Sequence, residues 1–152
     1  MELIQIIRNI ACAICKALGG EQPELSIKPA GTMTAILMSS ILLDKMDEIG
    51  DDKADIHLPD TNMKVYRKED VQKSYELQEV SSLKYIPEEQ DCDDIAAVLF
   101  GKFAGLLWTE VHALNWFIDT KDTLWFVEPQ TKKLSRTLEK WQGWNVRFFI
   151  GR

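Results

Sequence analysis

The chain has 152 residues, 45% apolar and 28% charged, a composition that fits one soluble globular domain with a sizeable core. Acids outnumber bases 24 to 18, for a net charge of −6, which argues against a general nucleic-acid binder, whose affinity rests on clustered lysines and arginines. The basic runs are short, such as Lys132-Lys133 followed by Arg136, and read as a solvated face.

The opening stretch, MELIQIIRNIACAICKALGG, begins with an acid where a secretory leader would carry bases, and Arg8 and Lys16 interrupt its apolar run. No stable membrane insertion is expected from it. Leu3, Ile7, Ile10, Ile14 and Leu18 follow helical spacing, which predicts an amphipathic helix over 2–18 closed by Gly19-Gly20. Its apolar stripe is read as core packing, with a homo-oligomer or partner contact through the N-terminal helices as the other use. Three cysteines and no leader point to a reducing, cytoplasmic setting with free thiols. Cys12 and Cys15 form a C-x-x-C inside the predicted helix, with no preceding strand and no second ligand pair; His57 and His112 lie far apart. Both cysteines read as small buried apolar residues.

A second helix is expected over 31–49, with Met33, Leu37, Ile41, Leu43 and Met46 on or near one face. Residues 1–50 thus form an N-terminal helical segment, and 51–152 an α+β core folded with it into one compact unit. Gly50 and Asp51-Asp52 break the helix, HLPDTN reads as a loop, MKVY as a short strand and KEDVQKSYEL as a helix with acids early. LKYIPEEQ is an extended approach to QDCDDIA. There Asp91 is the expected N-cap, Asp93 and Asp94 sit where acids favour the helix dipole, and Cys92 begins the apolar stripe of Ile95, Ala96, Leu99, Phe100 and Phe103.

The segment TEVHALNWFIDTKDTLWFVEPQT holds two apolar runs around DTKD and predicts a β-hairpin covered on both faces. KKLSRTLEKWQG reads as a helix ending at Gly143, and WNVRFFIG as a last strand. All five tryptophans fall in this half and are expected mainly in the core, an aromatic ligand platform being the other reading.

A cysteine hydrolase needs a thiol near a helix N-terminus, a histidine beside it and a group to orient the imidazole. Cys92, His112 and Glu128 occur in that order. A three-residue hairpin loop at 119–121 would set His112 directly across from Glu128, with Cβ atoms roughly 5 Å apart. A two-residue turn would send them to opposite faces. Asn115, an odd number of positions from His112, should face away. Gln90 is a candidate oxyanion donor with the Cys92 backbone N–H, and Gln130 a candidate substrate or supporting contact. Each of these residues also has a purely structural reading: an inert cysteine, a satisfied core histidine, a glutamate at a loop end.

At DCDDIA, VHALNWFID and LWFVEPQT, over about residues 60–150, the sequence resembles the papain-like and transglutaminase-like cysteine peptidase superfamily. It is most similar to the cysteine-protease domain of fungal chimeric agglutinins and its small stand-alone bacterial and phage relatives. The resemblance implies a papain-like α+β fold, with the nucleophile helix packed on an antiparallel sheet. It implies Cys92 as nucleophile, His112 as general base and Glu128 as orienting acid. It also implies calcium, for which Asp91, Asp93 and Asp94 offer oxygens, although no calcium-loop spacing is present and no cofactor is expected from the residues themselves.

The leading expectation is therefore a cysteine peptidase or amidase that acts on a peptide or amide substrate through a thioester. The alternative is a non-catalytic binding or interaction module on a papain-like fold. A third reading, an acidic metal-binding protein, rests on the clustered aspartates.

Overall fold

The first described helix shows how local chemistry sets element boundaries. Thr34 is extended and its Oγ1 accepts the Leu37 N–H at 3.2 Å, an N-cap that starts helix α1 at Ala35–Ile49. Gly50, at φ 76, ends it in the left-handed region that a glycine enters without a Cβ penalty. The expected helix over 31–49 is thus shorter at its start: Gly31–Thr34 form strand β1, paired antiparallel with β3 at Asn62–Val65. The buried stripe also differs from the expected one. Met38, Leu42 and Met46 point inward, one turn apart, whereas Leu37 and Leu43 are exposed.

The structure is a computed structural model that describes residues 27–51, 53–77, 86 and 91–152, the side chains of 75–77 excepted. The helix expected over 2–18, with Cys12 and Cys15, lies outside the described residues, as does Gln90. Beyond β3 come helices α2 (Lys68–Leu77) and α3 (Cys92–Phe100). Strands β4 (Gly105–Thr109), β5 (Ala113–Ile118), β6 (Leu124–Glu128) and β7 (Lys133–Ser135) follow, then a 3₁₀ turn at Lys140–Gln142 and β8 (Val146–Ile150). With β2 (Asp55–His57) they form a six-stranded sheet in the order β2-β8-β4-β5-β6-β7, antiparallel except for the β2–β8 pair. The fold is α+β with a mostly antiparallel sheet. Among the described residues no helix is long and apolar enough to cross a membrane.

Strand alternation divides the core between the two faces of the sheet. Leu114, Trp116, Ile118, Leu124 and Phe126 join Met38, Leu42 and Met46 of α1 in one cluster. Phe117 and Val127 join Ile95 and Leu99 of α3, with Phe103, Tyr66 and Val71, in the other. Strand β5 is buried along its whole length, as expected for a strand covered on both sides. Gly105 of β4 lies under Trp116: an added Cβ would come within 2.3 Å of Cε2, so this close approach requires glycine.

The helix expected over KKLSRTLEKWQG is replaced by β7 and the 3₁₀ turn. Lys133 pairs with Glu128 and Leu134 with Val127, and the Ser135 hydroxyl bonds both the N–H and the carbonyl of Thr137. Ladder pairing and a serine turn together take the backbone groups a helix would have used.

Candidate functional site

The β4–β5 turn builds the site's first wall. Thr109 N–H donates to the His112 carbonyl at 2.9 Å, and His112 N–H donates to Thr109 Oγ1 at 3.0 Å. The same hydroxyl donates to the Gln142 carbonyl at 2.6 Å, tying the turn to the 3₁₀ segment. The second wall comes from β6. Ile118 pairs with Leu124 rather than Asp122, so the hairpin loop runs from Asp119 to Thr123. The register is therefore shifted by two from the expected one, and His112 stands diagonal to Glu128 instead of directly opposite. An even shift keeps both on one face, and long side chains span a diagonal.

His112 Nε2 meets Glu128 Oε2 at 2.8 Å, with both side chains buried. A carboxylate only accepts, so the imidazole carries its proton on Nε2. Gln142 Nε2 donates to the same oxygen at 2.9 Å, and the Gln130 N–H donates to Glu128 Oε1 at 3.2 Å. Gln142 Oε1 accepts from the Glu139 N–H at 2.8 Å. The Trp141 ring lies 5.1 Å from the His112 ring, tilted by 55°, and its Nε1–H donates to Glu139 Oε2 at 2.6 Å. Lys133 pairs with the other Glu139 oxygen.

These groups border a pocket of about 390 Å³. Phe126, Glu128 and Gln142 are its buried residues; Thr131, Lys133, Ser135, Glu139 and Trp141 reach toward solvent. That volume lies at the small end of the range of about 300–1,000 Å³ for small-molecule sites. Trp116 is buried at 2% and Trp125 packs against the core, as expected of most of the tryptophans, whereas Trp141 is 50% exposed and Trp144 54%.

Cys92 opens α3, where the Asp91 N–H donates to Asp94 Oδ2 at 3.4 Å in a capping box. The thiol is partly buried and accepts from the backbone N–H of Ala113, the residue after His112. Burial pushes the thiol above its ordinary range. The Ala113 N–H opposes this only in part, while the charges of Asp91 and Asp93 add to it. Asp93 is raised as well, chiefly by its hydrogen bond with Asp91 and then by burial. Asn115 faces α3, as alternation from His112 requires, and donates to the carbonyls of Ala96 and Gly105 at 2.9 and 3.0 Å.

The ligand atoms of Asp91, Cys92 and Asp93 lie within 4.8 Å of one another. Calcium takes about six to eight oxygens. Two carboxylates and a soft thiol do not fit it, and the cation implied by the resemblance has no matching donor set among the described residues.

Of the residues singled out in the sequence, the structure joins His112 to Glu128 and brings the Gln130 backbone onto the same carboxylate. Thr109, Glu139, Trp141 and Gln142 were not singled out. A glutamine beside a tryptophan in KWQG was the available signal, hidden by the helical reading of that segment.

The six-stranded sheet with helices on both faces has counterparts among solved structures. No family model and no curated protein matches the chain. Among solved structures, the chain is similar to PSL1a in complex with E64, at 20% identity and a TM-score of 0.64, over 78% of this chain and 50% of that one. It is also similar to Polyporus squamosus lectin bound to the human-type influenza-binding epitope Neu5Acα2-6Galβ1-4GlcNAc, at 20% identity and a TM-score of 0.62, over 78% and 49%. The chain thus spans about half the length of these two chains, and the likeness is one of fold.

These neighbours overturn the expected cysteine peptidase: one of the structures that share the fold is described as a lectin, bound to a glycan rather than to a peptide or amide substrate. Burial and the flanking carboxylates, which raise the Cys92 thiol, disfavour the thiolate form that such a reaction would start from.

Proposed function

We propose that this chain is a non-catalytic carbohydrate-binding module, carried on a papain-like arrangement in which the helix opened by Cys92 lies on an antiparallel sheet. The observation that carries the reading is the open pocket in which buried Glu128 and Gln142 meet the half-exposed ring of Trp141. A sugar offers an apolar C–H face and a rim of hydroxyls. It is matched by an aromatic plane beside a few fixed polar groups. His112 and Glu128 then act as a brace: their bond fixes the carboxylate that holds Gln142, and the imidazole backs the Trp141 ring. Cys92 is a packing residue whose raised thiol supports a role without turnover.

The likeness to a glycan-bound lectin supports the ligand class at the level of fold, the weaker kind of warrant, because function belongs to sites rather than folds. Binding of the full chain and of Cys92→Ala to a glycan panel tests the proposal, with peptide and amide cleavage followed in parallel. Equal glycan binding by both proteins, with no cleavage that depends on Cys92, is the expected result. Cleavage by the natural chain that disappears in Cys92→Ala would overturn it.

A further inference from the structure

Resting on that reading, we infer that the pocket selects neutral, hydroxyl-rich glycans and discriminates against acidic ones. The titratable groups that face it are Glu128 with its partner His112, and Glu139 with its partner Lys133. Among the described residues Lys133 is the one ammonium in the lining, and Glu139 already engages it. The lining itself holds two carboxylates against one ammonium, in a chain whose net charge is −6. An entering carboxylate meets like charge at short range and would have to draw Lys133 away from Glu139. A hydroxyl meets no such barrier, since it donates to carboxylate and amide oxygens and accepts from the ammonium.

The groups available are those that hydroxyls use. Thr131 is exposed at the rim, Ser135 is partly exposed, and Trp141 presents an indole face whose tilt is fixed by its bond to Glu139. The selection differs from that of the fold neighbour from Polyporus squamosus, which is described with a sialylated epitope.

The test compares matched glycan pairs, each neutral glycan beside its sialylated form, on the full chain at one salt concentration. At least one neutral glycan is expected to bind about tenfold more tightly than its sialylated partner, a ratio that shrinks as salt rises. Trp141→Ala should lose that binding while keeping its circular dichroism spectrum, and Trp141→Phe should keep part of it. In Glu139→Gln, which releases Lys133, the ratio of neutral to sialylated affinity should fall to about threefold or less. Sialylated glycans bound equally or better would overturn the inference. So would glycan binding that survives in a folded Trp141→Ala; either result leaves the carbohydrate-binding reading standing. Failure to bind any glycan of either kind would instead remove that reading and the inference with it.

Discussion

Replacing Glu128 by glutamine tests whether the buried carboxylate organises the site. Glu128 is 3% exposed and accepts from His112 Nε2, Gln142 Nε2 and the Gln130 N–H. A glutamine that points its oxygen at His112 and Gln142 keeps two of these bonds in neutral form and turns its NH₂ toward the Gln130 N–H. The reverse orientation sets two donors against one and is worse. A hydrogen bond to a charged group contributes about 1.5–3 kcal/mol and a neutral one about 0.5–1.5, so weakening two bonds and losing a third costs about 2–3 kcal/mol. Glu128→Ala leaves all three donors without this acceptor and should cost about 3–5 kcal/mol. At roughly 2–4 °C per kcal/mol for a chain of this size, Glu128→Gln should unfold about 4–12 °C lower than the natural protein. Thermal and urea unfolding followed by circular dichroism measure both variants, and adding Gln142→Ala completes a double-mutant cycle. The two substitutions should be strongly non-additive. A Glu128→Gln protein as stable as the natural one, or additive losses in the cycle, would refute the brace.

Three further outcomes follow from the packing and charge. Gly105→Ala places a methyl 2.3 Å from Trp116 Cε2 and 2.8 Å from the Ile150 carbonyl oxygen, and must displace a ring whose Nε1–H bonds Leu106. It should lose about 2–4 kcal/mol, and an unchanged melting temperature would contradict the packing. Iodoacetamide should label Cys92 at half its full rate only above the free-thiol value of about 8.5, because burial and the two aspartates disfavour the thiolate. Half-maximal labelling near neutral pH would show an activated thiol. For Asp93, a raised pKa in the folded protein means that its contribution is fully present below the unfolded value and is lost as pH rises through the folded one. Asp93→Asn should therefore raise the melting temperature slightly at neutral pH, and the gain should vanish below about pH 3, where the aspartate is protonated in either state. A gain that persists in acid would assign the effect to something other than charge.

Several elements were legible because local chemistry and tertiary structure agree on them. Helix α2 occupies KEDVQKSYEL, and α3 starts behind an aspartate cap with Ile95, Ala96 and Leu99 buried as their spacing requires. The pairing of His112 with Glu128 was readable by parity alone: the loop length was misjudged by two residues, and an even error returns both side chains to the same face. Strand β2 was hidden because its pairing partner, β8, lies near the other end of the chain and no local pattern announces it. The buried face of α1 was displaced because apolar residues stand on both sides of that helix, and only contact with the sheet selects Met38, Leu42 and Met46. At Cys92, order and spacing along the chain suggest a nucleophile, base and orienting acid but cannot register the burial that raises the thiol.

The central claim is that a ligand seats on Trp141 above the Glu128–Gln142 floor. Titration of the tightest neutral glycan from the matched pairs, followed through the indole N–H resonances, addresses it directly. The Trp141 signal, assigned by its loss in Trp141→Phe, is expected to shift saturably while that of buried Trp116 stays in place. An unmoved Trp141 resonance at saturating glycan would contradict the claim.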